Sequence, residues 1–143
     1  NGEDYYFLSD LEFKEKINTQ KFVEYEEVYG GVFYGTLKSE LNRIWDDNKI
    51  VIFDIDVEGG VNIKEMFPLE TLSVFVMPPS LEILKKRLID RGDISNDEIE
   101  TRLKKAENEL DFASKFDNII INSDLNESKK IAFKLIKEFI ENE

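Results

Sequence analysis

At 143 residues the chain is one domain's worth of polypeptide, long enough for its own core, and a 41% hydrophobic fraction with 11 Phe argues against disorder. A formal net charge of −12 argues against a nucleic-acid surface, yet a few placed arginines can still bind a phosphate. With no Cys and no His, disulfide frameworks, thiolate or imidazole metal sites and Ser-His catalysis are all excluded.

In chain order, Asn1-Gly2-Glu3-Asp4 carries no initiator Met and reads as the interior of a larger protein. Ser9-Asp10-Leu11-Glu12 has the form of a capping box opening a helix to about Asn18. Phe22–Tyr29 mixes β-formers with charge and suits an exposed antiparallel strand, after which Gly30-Gly31 turns the chain. Leu37, Leu41, Ile44 and Trp45 fall at helical spacing within 37–48. The run Ile50-Val51-Ile52-Phe53 leads into Asp54 and Asp56 and then the Gly59-Gly60 turn. Continuous apolar runs of this kind belong to strands buried on both faces of a parallel sheet. A helix is expected over 61–66, closed by Pro68, and a second buried strand over 72–77, stopped by Pro78-Pro79. Ser80 can cap a helix from Leu81 to Asp90 that ends at Arg91-Gly92. Ser95-Asn96-Asp97-Glu98 opens a long helix to about Lys115. Asn118–Ile121 reads as a third apolar strand, and an amphipathic helix from about Leu125 to Glu141 follows. Strands alternating with helices of this length imply right-handed βαβ units around a parallel sheet, on which residues 22–36 form a small antiparallel insertion. No apolar run approaches the roughly 18 residues of a membrane span and no signal peptide is visible, so a cytoplasmic protein is expected.

Several polar residues could carry chemistry. Asp54 and Asp56 fall at a strand's carboxyl end, where ligands of parallel sheets bind. They either cap the next helix or bind a lysine, or else place one carboxylate on a metal or its water shell and the other on a ligand. Glu24 is either a solvated carboxylate or the acceptor for guanine, whose N1–H and 2-amino group form an adjacent donor pair that adenine lacks. Thr36 could then donate to O6, and the wrong base would leave polar groups unpaired. Tyr5 and Tyr34 are either ordinary strand and interface residues or neutral donors to a phosphate. Arg87 and Arg91 lie one helical turn apart, and Arg102 follows across the polar loop 92–96. These are either surface cations or the clamp of a phosphate-binding lid. Lys85, Lys86, Lys104 and Lys105 read as solvated. Asn122 either caps the last helix or reads an adenine edge.

In order and spacing, the stretches Asn1-Gly2-Glu3-Asp4-Tyr5-Tyr6-Phe7, Phe22-Val23-Glu24-Tyr25, Tyr34-Gly35-Thr36, Asp54-Ile55-Asp56-Val57-Glu58-Gly59, Pro78-Pro79-Ser80, Arg87-Leu88 with Arg91-Gly92, Arg102-Leu103 and Asn122-Ser123-Asp124-Leu125 resemble the guanylate kinase family over nearly the whole chain. The resemblance implies the α/β fold of P-loop nucleoside monophosphate kinases: a parallel sheet flanked by helices, a small antiparallel GMP-binding insertion and a helical lid. It divides 1–143 into a GMP-binding region to about 36, a core of 37–90 and 116–143, and a lid with its following helix at about 91–115. It implies phosphoryl transfer from ATP to GMP with Mg²⁺, in purine metabolism, by a monomer or homodimer. By the same resemblance Glu24, Thr36 and Asp56 bind guanine, and Tyr5 and Tyr34 bind the GMP phosphate. Asp54 lies near Mg²⁺, Arg91 and Arg102 stabilise the transferred group on ATP, and Asn122 lies by the adenine.

Glu58 stands where the family often has Gln, and Gly30-Gly31 is one residue longer than the commonest form of that turn. The family's G-x-x-x-x-G-K-[ST] loop does not occur in the 143 residues. Also absent is the arginine-bearing segment that in the family follows this loop and grips the GMP phosphate. The resemblance therefore implies a strand–loop–helix unit of about 30 residues or more upstream of Asn1. Without that unit the sheet keeps unpaired inner edges and residues 1–143 lack kinase activity. Two rival readings remain: a non-enzymatic guanylate-kinase-like scaffold whose GMP site takes a phosphopeptide, and an acidic α/β domain with no ligand.

Overall fold

The structure, a computed structural model, describes residues 5–29, 31–92 and 95–141. The Asn1–Asp4 stretch, Gly30 and part of the 92–96 loop lie outside the described residues. The chain forms two compact units, Asn1–Ile63 and Lys64–Glu143.

In the first unit, Ser9 opens helix α1 (Asp10–Asn18) with the expected capping box: Glu12 Oε2 accepts from the Ser9 backbone N–H at 2.8 Å. Strands β1 (Phe22–Tyr29) and β2 (Val32–Leu37) pair antiparallel, with Glu24 opposite Thr36, Tyr25 opposite Gly35 and Glu26 opposite Tyr34. Gly35 is required here, because a Cβ at that position would stand 2.7 Å from the Glu24 carbonyl oxygen and 2.8 Å from Tyr25 Cβ. Phe13 of α1 stacks on Phe22 at 4.4 Å between ring centroids and tilts against Phe33 at 5.5 Å. Phe13, Phe22 and Val23 are buried, so the α1 face and one side of the hairpin make the core of this unit, to which Leu41 adds. Leu41 comes from helix α2 (Lys38–Asp46), which starts directly after β2.

The segment 50–56 is not a strand. A strand exists only by sharing a hydrogen-bond ladder, and none of the described strands pairs with this run. Nor is it buried: Ile50 is 61% and Ile52 82% exposed. Local apolarity signals a β-competent sequence but cannot supply its neighbour. The next helix, α3 (Val57–Met66), starts four residues before the expected 61, so the supposed Gly59-Gly60 turn is its first turn. The boundary between the two units falls within α3.

In the second unit, β3 (Val74–Met77) and β4 (Asn118–Ile121) run parallel with Val74 opposite Asn118 and Met77 opposite Ile121. The parallel sheet of the described residues thus has two strands, not three. Its faces also differ from expectation. Phe75 and Ile120 are buried, whereas Val76, Ile119 and Ile121 are exposed, so each strand buries one face rather than two. Between the strands run α4 (Leu81–Arg91) and α5 (Asn96–Leu110). Ser80 caps α4 and Gly92 closes it at φ +79°, the left-handed conformation that favours glycine. The Ser95–Glu98 box caps α5, which ends at Leu110 rather than near Lys115; Ala113–Lys115 is a separate 3₁₀ turn. Helix α6 (Leu125–Glu141) completes the unit.

One polar cluster ties this unit's sheet to the end of α3. Asp117 Oδ2 accepts from the Ser73 N–H at 2.8 Å, from the Ser73 hydroxyl at 2.9 Å and from Lys64 Nζ at 3.0 Å. Lys64 also donates to the Thr71 carbonyl at 2.7 Å. The three residues fix the entries of β3 and β4 together.

Candidate active site

Both halves of the guanine reading meet in the hairpin. Glu24 and Thr36 are cross-strand partners, and the Thr36 hydroxyl donates to Glu24 Oε1 at 2.7 Å. Both are partly buried, which makes the pair a positioned acceptor and hydroxyl rather than the solvated carboxylate of the simpler reading.

Beside this pair, the Tyr5 ring meets the Tyr34 ring edge-on with centroids 5.9 Å apart, which brings the two phenols into one place. Both are about half exposed, and neither hydroxyl bonds to another described residue. The adjacent Tyr6 turns to α2 and donates to Glu40 Oε1 at 3.2 Å. Arg43 holds the other Glu40 oxygen at 2.9 Å through Nε and 2.8 Å through Nη2. The Arg43 guanidinium holds the Glu40 carboxyl below its usual range; partial desolvation opposes it and the Tyr6 hydroxyl assists.

The two aspartates separate by environment. Asp56 Oδ1 accepts from the Gly59 N–H at 2.8 Å, capping α3, so the helix-cap reading holds for this oxygen. Asp54 is exposed, and makes no hydrogen bond or ion pair to another described residue. Among the described residues there is no group of three or more His, Cys, Asp or Glu placed to hold a metal ion.

In the second unit, Arg91 ends α4 and Arg102 stands on α5, both exposed. Arg87 does something different. Its Nη2 donates to the backbone carbonyl of Asn122 at 2.8 Å and contacts that of Ser123 at 3.3 Å, so it anchors the chain after β4. Lys85, read as solvated, pairs with Glu100 at 2.8 Å across α4 and α5. Asn122 does not cap α6. Asp124 does, with Oδ1 accepting from the N–H groups of Asn126 and Glu127 at 2.9 Å. Asn122 instead extends the ladder through its N–H to the Met77 carbonyl at 2.8 Å, while its Oδ1 accepts from the buried Ser128 hydroxyl at 3.2 Å.

Sequence reasoning did not find Glu40, Asp117 or Ser128. Asp117 and Ser73 are 44 residues apart, Tyr6 and Glu40 34, and no local pattern encodes such pairings. Ser128 offered a weak sign, a hydroxyl on the otherwise apolar face of α6.

A protein-family model described as guanylate kinase matches residues 1–143. The chain is 48% identical over 140 residues to a guanylate kinase of Bacteroides fragilis, covering 98% of this chain and 69% of that protein. The chain belongs to the guanylate kinase family. A guanylate kinase of Porphyromonas gingivalis is 46% identical over 140 residues, covering 98% of this chain and 74% of its own length. The crystal structure of guanylate kinase from Anaplasma phagocytophilum matches with a TM-score of 0.70 at 31% identity, over 96% of this chain and 66% of that one. The guanylate-kinase-like α/β fold is therefore met, and the chain spans about two thirds to three quarters of the length of these relatives.

Proposed function

We propose that the chain carries the GMP-selecting and phosphate-clamping side chains of a cytoplasmic guanylate kinase, which transfers a phosphoryl group from ATP to GMP and yields ADP and GDP. The observation that carries this reading is the Glu24–Thr36 pair, a carboxylate and a hydroxyl fixed 2.7 Å apart across one hairpin. Guanine offers N1–H and a 2-amino group to the Glu24 oxygens. The Thr36 hydroxyl has a single proton, which turns from Glu24 to the guanine O6 as the carboxylate takes up the ring donors. Adenine would leave Glu24 facing an acceptor and a C–H, and the desolvated carboxylate would be unpaired.

Asp56 has one oxygen on α3 and a second available for the guanine edge. Tyr5 and Tyr34 donate hydroxyl protons to the GMP phosphate. Arg91 and Arg102 act as lid cations that offset charge on the transferred group, and the Asn122 side chain meets the adenine. Magnesium is compatible with Asp54: Mg²⁺ is held by one or two carboxylates together with substrate phosphates and water, and Asp54 is an exposed carboxylate without a competing partner among the described residues. Bound there, the ion would neutralise phosphate charge. The chain's own residues bind, select and orient; no covalent intermediate on the protein is required.

Because the 143 residues contain no glycine–lysine phosphate loop, these residues alone are expected to bind GMP without turning it over. Glu24→Gln is the direct test of the binding half. It replaces one of two acceptors by a donor, and GMP affinity is expected to fall by about tenfold or more, with the thermal midpoint little changed. Unchanged GMP affinity would refute the assignment. Binding of a phosphopeptide in preference to GMP would favour the scaffold reading instead.

A further inference from the structure

Tyr5 and Tyr6 are consecutive residues of a segment that is neither helix nor strand, yet both side chains are held by one continuous stretch, β2 and the start of α2. Tyr5 rests edge-on against Tyr34 at 5.9 Å, and Tyr6 donates to Glu40 at 3.2 Å. Glu40 lies four residues beyond Thr36, so the second tether rests on the same strand–helix corner that carries the guanine-selecting hydroxyl. The Glu40 carboxylate is itself fixed. Arg43, one turn later on α2, engages Oε2 through two nitrogens and leaves Oε1 directed at the tyrosine. The Glu40 side chain is only 23% exposed, whereas Arg43 is 58% exposed, so the carboxylate is the inner member of the pair.

We infer that Glu40, held by Arg43, is a positioning residue for the phosphate end of the GMP site: by anchoring Tyr6 it fixes the neighbouring Tyr5 against Tyr34, so that two phenol hydroxyls converge on one phosphate. This rests on the guanylate kinase reading above and assigns to Tyr6, Glu40 and Arg43 a part which neither guanine nor phosphate contacts supply. An exposed, irregular segment has many conformers, and each phosphate donor is useful only in one. Restricting the segment before the ligand arrives removes an ordering cost from binding. The effect falls on the phosphate rather than the base, because the guanine contacts lie on β1, β2 and the start of α3.

The test is an NMR titration, which reads affinities into the millimolar range, of the 143-residue chain and its variants with GMP, with guanosine and with AMP. Tyr6→Phe removes only the hydroxyl, whereas Glu40→Ala removes its acceptor together with the Arg43 ion pair. Each is expected to weaken GMP about fivefold, the equivalent of one net hydrogen bond, and to leave guanosine unchanged. The double variant should be no weaker than either single one, because both remove the same tether. Guanosine and GMP weakened equally would overturn the inference, since that is the signature of a loosened fold. Unchanged GMP affinity, or additive losses in the double variant, would overturn it as well. If instead the unaltered chain binds GMP no better than AMP, the guanylate kinase reading itself fails.

Discussion

At the residue scale, the same side-chain chemistry reads differently according to what lies beside it. Asp54 and Asp56 are two residues apart, yet one is exposed with no partner among the described residues while the other caps a helix. Asp117 shows the strongest local organisation. Burial pushes its carboxyl upward, but the Ser73 N–H, Lys64 and the Ser73 hydroxyl outweigh that and hold it below its ordinary value of 3.8. A carboxyl depressed in the folded state stabilises the fold above its unfolded pKa, and that contribution is lost as pH falls below it through the folded pKa. Urea midpoints measured from neutral pH down through the carboxylate range should therefore fall more steeply for the natural chain than for Asp117→Asn. Parallel decline of the two would show that the cluster does not matter to acid stability. Glu24 and Thr36 were legible because a hairpin brings residues 12 apart into register. The Ser73–Asp117 pairing was not, since its members are brought together by a parallel crossover.

Whole elements were more legible than single partners. Capping boxes at Ser9 and Ser95, the Ser80 cap, the Gly92 stop and the bounds of β1, β4 and α6 all follow from local rules, because caps and left-handed glycines are local chemistry. The failure at 50–56 has the opposite origin. Four apolar residues in a row describe a strand's preference for burial, and pairing depends on a neighbour that the local sequence does not encode. This difference is measurable by amide hydrogen exchange. The inner amides of β3 and β4 are expected to exchange at least about tenfold more slowly than those of 51–55, because ladder hydrogen bonds must open first. Equal protection would mean that 50–56 has a stable partner after all.

At the scale of the molecule, each unit carries a share of the proposed chemistry. The residues assigned to GMP, namely Tyr5, Glu24, Tyr34, Thr36 and Asp56, all fall within Asn1–Ile63, while Arg91, Arg102 and Asn122 fall within Lys64–Glu143. That division separates acceptor recognition from the cations and amide assigned to the donor nucleotide, so substrate selection can be tested without turnover. Guanine selection by Glu24 and Thr36 is the step on which the proposed function depends. Its most direct measurement is a competitive titration of the 143-residue chain with GMP and AMP, which carry the same phosphate and differ only in the base. The expected result is a preference for GMP of about tenfold or more, set by the cost of leaving the partly buried Glu24 carboxylate unpaired against adenine. Equal affinity for the two nucleotides would contradict the account.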